Sequence, residues 1–287
     1  MGSQFDVCWM NQMNGLQWVE LTGGSLILYC YFLTAKSEAK GYMWRTLLAC
    51  GLSGIFGILL ETAFAAANEC GNSDPNLAYI IAFNEINWII HEVTVVLYSL
   101  FKSLSVITNQ ALKNSVYMIM AVLGVIFAAL RVNIGVNRFK FNTLGNHEIS
   151  VAHSWAFISW GIADLVIIVL LVMSTLTYMK NDAGSNISGA FKTILTSSIP
   201  RIFVIFINTI CIVIVGQFLN PSPTLSNFNH FLWWVKGTYP LIMLIDILLT
   251  KDLLMKSKIA RESSNGTKSH PSTNAVPSGK NWWLSFH

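Results

Sequence analysis

The stretch that decides the fold is Leu77-Ala-Tyr-Ile-Ile-Ala-Phe-Asn-Glu-Ile-Asn-Trp-Ile-Ile-His-Glu-Val-Thr-Val-Val-Leu-Tyr-Ser99. It is long and apolar enough to cross a bilayer, yet it carries two glutamates and a histidine. On a helix, its polar and apolar residues fall on opposite sides, and polar residues recur every seven positions, as at Asn84, His91 and Tyr98. A charge near the bilayer centre costs at least about 2.5–3.5 kcal/mol. This helix must therefore line a protein interior or a wet cavity.

Length and composition place the chain among membrane proteins. Of its 287 residues, 53% are hydrophobic and 11% are charged, whereas soluble domains average about 25% charged residues. Long apolar runs recur, so we predict an all-α, polytopic protein surrounded by the lipid bilayer. The net charge of +4 does not indicate a nucleic-acid partner. Its lysines and arginines cluster at the ends of the apolar runs and in the tail, where membrane topology explains them.

Seven apolar runs are each long enough to cross about 30 Å of hydrocarbon. They cover residues 16–35, 42–66, 77–104, 114–136, 152–179, 194–218 and 229–250. We therefore predict a seven-transmembrane helix bundle over 16–250, preceded by an extracellular segment at 1–15. Residues 251–262 are predicted to form an amphipathic helix on the membrane surface or a basic flank of the last span. Residues 263–287 are predicted to be a disordered cytoplasmic tail.

The distribution of positive charge predicts the orientation. Most lysines and arginines between the spans, and all of those from Lys251 onward, fall on one side, whereas Arg138 and Lys140 fall on the other. Since cytoplasmic connections carry the excess of positive charge, we predict an outside N-terminus, a cytoplasmic C-terminus and a plasma-membrane location. Cys8 and Cys70 would then share the oxidising outer side, where they form a disulfide or remain two free thiols.

Ionisable residues inside the spans fall at matching depths. Glu85 and Lys236 each lie about 12 Å below the outer end of their span, and Glu61 and Arg131 lie in the same outer third. Because an unpaired buried charge is costly, we expect Glu85 or Glu61 to pair with Lys236 or Arg131. For Lys236 we expect Glu85 as the first partner and Glu61 as the second. Such pairs either only fix helix packing or line an externally open pocket. The second interpretation makes these residues candidates for ligand binding: Glu61, Glu85, Asn87, Trp88, Lys236 and Tyr239.

Deeper ionisable groups indicate a proton relay or a conformational switch. The candidates near mid-depth are His91, Glu92 and Asp164, while Arg201 and Asp246 lie in the inner third and are expected to pair. A metal site needs three or four converging ligands; no spacing motif supports one, and none is predicted. A lysine in the last span opposite a carboxylate on span 3 also suggests a Schiff base to retinal, as in an opsin.

Motifs of common enzymes are absent from the sequence. It contains no glycine-lysine phosphate loop, no Gly-x-Ser-x-Gly and no His-Glu-x-x-His. We therefore expect no enzymatic activity and no cofactor, and keep an intramembrane enzyme as a lesser alternative.

The architecture resembles that of seven-transmembrane receptors of the G-protein-coupled type. The shared features are seven spans, an outside N-terminus, an outer polar pocket, a last span with a proline at Pro240, and a surface helix after it. Where such receptors often carry Asp-Arg-Tyr, this chain reads Phe101-Lys102-Ser103, so no residue role is carried over. The resemblance implies a receptor that senses a small or peptidic extracellular ligand and acts on a cytoplasmic signalling partner. The rival hypothesis is a proton-coupled transporter or channel that uses the intramembrane Glu, His and Asp side chains.

Overall fold

The computed structural model describes residues 18–34, 41–69, 76–105, 107, 109–181, 188–217 and 223–265. This part of the chain forms eight α-helices and contains no strand. In chain order they are α1 (Trp18–Thr34), α2 (Tyr42–Glu69), α3 (Leu77–Leu104), α4 (Gln110–Phe141), α5 (His147–Asn181), α6 (Ser188–Gln217), α7 (Pro223–Gly237) and α8 (Tyr239–Asn265). Cys8 and Cys70 lie outside the described residues, so their disulfide stays a prediction.

Among the described residues, six helical segments are long and apolar enough to cross a membrane, which makes this a multi-pass membrane protein. They are Tyr42–Asn68, Leu77–Leu104, Gln110–Phe141, His147–Ser174, Ile199–Gln217 and Asn227–Asp252. The predicted first span corresponds to α1, whose apolar segment Trp18–Leu33 is shorter than these six. The structure therefore supports six spans, and a crossing by α1 stays a prediction.

The predicted last span consists of two helices. α7 ends at Gly237 and α8 begins at Tyr239, so Thr238 interrupts the helix within the membrane crossing. Pro240 lies in the first turn of α8, where its missing N–H removes no intrahelical hydrogen bond. α8 then continues without a break through the predicted surface helix at 251–262.

The helices pack in chain order and then close into a bundle. Each of α1 to α5 packs on the helix that follows it, and α7 and α8 return to pack against α1 and α6. α8 also contacts α2 and α3. The last two helices thus close the bundle between its first and sixth members.

The two sides of α3 differ as the sequence predicted. Glu85 and Glu92 are 2% and 3% exposed, whereas Ile86 and Ile90 are 55% and 41% exposed. An exposed aliphatic side and a buried charged side suit a helix whose outer face contacts lipid. This arrangement confirms that the polar side of the helix faces the interior of the bundle.

Two glycines on α2 allow α3 to approach closely. A Cβ atom at Gly54 would lie 2.9 Å from His91 Nδ1, and one at Gly57 would lie 3.3 Å from the Trp88 ring. Both rings are buried, and small residues at helix contacts permit such approach inside membranes. In contrast, no atom lies within 4 Å of a Cβ built at Gly124 on α4.

We expect Gly54→Ala to lower the melting temperature of the purified protein, because contacts on both ring nitrogens prevent His91 from moving away from the new methyl group. Overpacking of this kind costs about 1–3 kcal/mol. The matched control is Gly124→Ala, which adds helix propensity of about 1 kcal/mol in open space and should not lower the melting temperature. Equal shifts for both variants would contradict the close contact between α2 and α3.

Candidate functional site

Six charged side chains from α2, α3, α4 and α7 meet inside the bundle, and we call them the first charge cluster. In order of contact they are Glu61, Arg138, Glu85, Arg131, Glu92 and Lys236. Their charges alternate in sign along this order, so three carboxylates face three cations. Such balance is what allows ionised groups to persist in the low-dielectric interior of a membrane protein.

Arg131 lies at the centre of the first charge cluster, and its side chain is 1% exposed. Its Nη1 donates to Glu85 Oε2 at 2.9 Å, and its Nε donates to Glu92 Oε2 at 3.2 Å. Arg131 Nη2 and Lys236 Nζ both contact the other oxygen of Glu92. One carboxylate of α3 is therefore shared by cations from α4 and α7.

The cluster continues from Glu85 toward α2. Arg138 Nη1 lies 2.7 Å from Glu85 Oε1 and 2.6 Å from Glu61 Oε1. Trp88 Nε1 donates to the same Glu61 oxygen at 2.9 Å. The side chain of Glu61 is 16% exposed, compared with 3% for Glu85. The Glu61 end is therefore the most accessible part of the first charge cluster.

Aromatic rings surround the lysine end of the cluster. Lys236 Nζ lies 4.4 Å from the centroid of the Phe157 ring and 4.5 Å from that of Trp233. Ring faces attract a cation and also exclude water from it. The ammonium group thus depends on Glu92 and on the rings, rather than on solvent, for its stabilisation.

His91 connects α3 to α1 and requires a shared proton. Its Nδ1 lies 3.0 Å from the carbonyl oxygen of Cys50, which only accepts hydrogen bonds, so Nδ1 carries a hydrogen. Its Nε2 lies 3.0 Å from Glu20 Oε1. Two acceptors at that distance would repel each other. A second proton therefore lies between His91 and Glu20, on the ring or on the carboxyl group.

A second charge cluster lies on α3, α6 and α8, and consists of Tyr98, Lys102, Arg201 and Asp246. Lys102 Nζ donates to both Asp246 oxygens, at 2.8 and 2.7 Å, and the Tyr98 hydroxyl donates to Asp246 at 2.6 Å. Arg201 contacts the same carboxylate, so the predicted pair is present, while its role as a switch stays a prediction. Two cations share one carboxylate here.

The structure corrects one predicted pair. Lys236 contacts Glu92, whereas counting depth from the ends of the spans predicted Glu85 or Glu61 as its partner. That prediction estimated depth from the number of residues below the outer end of each span, and so assumed that all helices begin at the same height in the membrane. It also ignored the length of the lysine side chain, whose four-carbon stem places the ammonium group far from its own backbone. Glu85 and Glu61 instead contact the arginines of α4.

Arg131 was expected to pair with Glu85 or Glu61, and its contact with Glu85 confirms that pair. Neither arginine of α4 was named as a site residue, although the sequence contains a signal for both. Arg131 and Arg138 are seven residues apart, and so are Glu85 and Glu92 on the neighbouring helix. Residues seven apart lie on one face of a helix, so two such pairs of opposite sign indicate facing surfaces. Arg138 was assigned to a loop because the predicted span ended at 136, whereas α4 continues to Phe141.

Glu20 and Lys102 were also missed. Glu20 belongs to a predicted first span in which its partner, His91, was not apparent. Lys102 was counted among the cytoplasmic loop charges that set the orientation, yet its side chain is 8% exposed and contacts Asp246. Neither residue shows its partner in local sequence, because each partner lies on a distant helix.

Asn87, Tyr239 and Asp164 lie outside both charge clusters. Asn87 Nδ2 donates to Asn84 Oδ1 at 3.0 Å, and the Tyr239 hydroxyl accepts from Asn208 Nδ2 at 2.8 Å. Asp164, on α5, is 4% exposed. Their predicted roles in ligand binding and proton transfer stay predictions.

A cavity of about 30 Å³ lies beside the first charge cluster. His91, Glu92, Lys236 and Asp164 are among the residues that line it. A water molecule needs about 10–15 Å³, whereas pockets for small molecules have about 300–1,000 Å³. This cavity can hold water but has no room for a ligand or for retinal bound to Lys236.

Comparison of the chain with protein-family models, with curated proteins and with solved structures gives no match. Within the described part of the chain, no group of three or more His, Cys, Asp or Glu side chains is arranged to hold a metal ion. The function must therefore be argued from the two charge clusters themselves.

We expect Glu92→Gln to lower the free energy of unfolding by about 3–5 kcal/mol, because Arg131 and Lys236 would then face each other without a shared anion. Adding Lys236→Met removes one of the two cations and should restore part of that loss. Unfolding in mixed micelles titrated with sodium dodecyl sulfate measures both changes.

The control for this pair is Glu61→Gln combined with Lys236→Met, whose side chains lie at opposite ends of the cluster and should show additive effects. If Glu92→Gln and Lys236→Met are also additive, their contact does not contribute to stability.

Proposed function

We propose that the protein is a receptor-like membrane protein in which a stimulus at the first charge cluster changes the packing at the second. The observation that supports this most directly is the distribution of the two clusters over the same elements. α3 carries Glu92 of the first cluster and Lys102 of the second. The last membrane crossing carries Lys236 of the first and Asp246 of the second.

The helix break at Thr238 makes this coupling mechanically reasonable. Lys236 lies just before the break and Asp246 lies after it, in a separate helix. A change in the contact of Lys236 with Glu92 can therefore tilt α7 relative to α8 without breaking intrahelical hydrogen bonds. The mechanism is a population shift, in which the stimulus binds one arrangement of the bundle more tightly than the other.

The ligand we propose is a small or peptidic molecule that carries a charged group. The members of the first charge cluster neutralise each other, so an uncharged ligand that displaced one of them would leave a buried charge unpaired. A ligand with a carboxylate can replace Glu61 at Arg138, and one with an amine can replace Arg138 at Glu61. The partial exposure of Glu61 makes this end of the cluster the entry point.

Proton-coupled transport is the second candidate function. The proton shared by His91 and Glu20 favours it, because transporters of this kind use paired ionisable groups inside the membrane. Cavities that carry protons across a bilayer must continue through both leaflets. The cavity at Glu92 has a volume of only about 30 Å³, and apolar residues such as Phe157 and Ile205 contribute to its lining. A cavity of this size does not extend across a bilayer, which is why we prefer the receptor.

We further propose an outside N-terminus, a cytoplasmic C-terminus and a plasma-membrane location, on the basis of the positive-charge distribution. The first charge cluster then faces the exterior and the second faces the cytoplasm and a signalling partner there. An epitope tag after His287 should be labelled only in permeabilised cells. Labelling of intact cells would show that the C-terminus is extracellular. The first charge cluster would then face the cytoplasm, and an extracellular ligand could not reach it.

The proposed coupling predicts that Glu92→Gln changes the separation of α3 and α8 at the end of the bundle that holds the second cluster. Double electron–electron resonance between nitroxide labels at Ser105 and Lys256, in a background without native cysteines, measures that separation. The control Ile90→Val alters an exposed, lipid-facing side chain of the same helix and should leave the distance distribution unchanged.

An unchanged distance distribution in Glu92→Gln would contradict the coupling.

Proteoliposomes that contain the protein and a pH-sensitive dye distinguish the two candidate functions. A receptor should give no more proton flux than empty liposomes, whereas flux that Glu92→Gln abolishes would favour transport.

A further inference from the structure

Asp164 is a buried acid that belongs to neither charge cluster. It lies in the middle of α5, is 4% exposed, and makes no hydrogen bond or ion pair with any described residue. An unpaired carboxylate anion in such surroundings is costly, and an acid placed there is stable with its proton bound. The group therefore differs from Glu85 and Glu92, which have cations beside them.

A second buried polar group without a partner lies nearby. Trp160 is one helical turn before Asp164 on α5, it is 6% exposed, and its indole Nε1 has no hydrogen-bond partner. Both residues line the cavity of about 30 Å³ beside the first charge cluster. One wall of the cavity thus presents a hydrogen-bond donor and a carboxyl group, each unsatisfied by protein atoms.

The groups that line the cavity favour water over a metal cation as its occupant. A metal cation is disfavoured, because Lys236 shares the cavity wall and the Trp160 indole presents an N–H donor. Water fits both groups, since it accepts from the indole and exchanges hydrogen bonds with the carboxyl group. The volume is enough for one or two water molecules.

We propose that this cavity is a hydrated proton-binding site in which Asp164 holds the proton and water connects its carboxyl group to the Trp160 indole. The other titratable groups that line it are His91 and Glu92 from α3, Lys236 from α7 and Tyr239 from α8. α6 contributes no charged side chain to the cavity, only residues such as Thr209.

The other titratable groups of the cavity each have a partner elsewhere, so Asp164 is the acid that can exchange a proton independently of them. Glu92 is bound by Arg131 and Lys236, and His91 is bound to Glu20. Tyr239 is hydrogen-bonded to Asn208. Asp164 can therefore gain or lose a proton without removing a member of the first charge cluster, and the site does not depend on the receptor proposal.

Infrared spectroscopy of the purified protein in lipid nanodiscs tests the site directly. The difference spectrum between wild type and Asp164→Asn should contain a carbonyl stretching band of a protonated carboxylic acid, because only Asp164 changes and any band of Glu20 is common to both proteins. Asp164→Glu keeps an acid at the site and should shift the band, which keeps the test decisive if Asp164→Asn fails to fold. Transfer to heavy water should shift the wild-type band, because the proposed site is hydrated.

Two tryptophan variants test the water contact. Trp160→Phe removes the indole donor and should shift the band, whereas Trp155→Phe, which is 55% exposed, should leave it in place. The proposal is overturned if the spectra of wild type, Asp164→Asn and Asp164→Glu show no difference in this region. It is also overturned if sodium chloride, but not choline chloride, removes the wild-type band, since Asp164 would then bind a metal cation.

Discussion

The burial of the Arg131 guanidinium between two carboxylates is the constraint on which the rest of the structure depends. A permanently charged group that is 1% exposed inside a bilayer requires anions that stay in position, and α3 supplies Glu85 and Glu92 on one face. Each of these carboxylates also contacts a second cation: Arg138 contacts Glu85, and Lys236 contacts Glu92. Four helices are thereby held by a single sequence of contacts, in which the loss of one member leaves its neighbours unpaired.

The two charge clusters differ in balance, and this difference fits the roles proposed for them. The first has as many carboxylates as cations and leaves few donors unsatisfied. In the second, Asp246 is shared by Lys102, Arg201 and the Tyr98 hydroxyl, and the Nε and Nη2 atoms of Arg201 have no hydrogen-bond partner among the described residues. Unsatisfied buried donors are costly, so a packing that offers Arg201 a further acceptor would gain stability. The second cluster is therefore the better place for a change in packing.

The sequence periodicity of α3 and α4 predicted which sides of these helices are buried, but it did not predict where α4 ends. The alternating sides of α3 were predicted correctly, because a helix that meets lipid on one face and protein on the other must separate its apolar and polar residues. On α4, whose exposed side chains include Val122 and Val125 at 56% and 70%, the same rule holds. Its helix was nevertheless ended too early in the prediction, and Arg138 was mistaken for a loop residue.

Sequence alone determined that this is a helical multi-pass membrane protein, and that α3 buries its glutamates. These conclusions follow from local properties, namely apolar length, helical period and the cost of charge in hydrocarbon. Only the tertiary structure decided that Glu92 contacts both Arg131 and Lys236, that Lys102 is a buried partner of Asp246, and that the last crossing is two helices. Partner choice depends on the tilt, starting level and rotation of helices far apart in the chain, and these are set by packing between helices rather than within one.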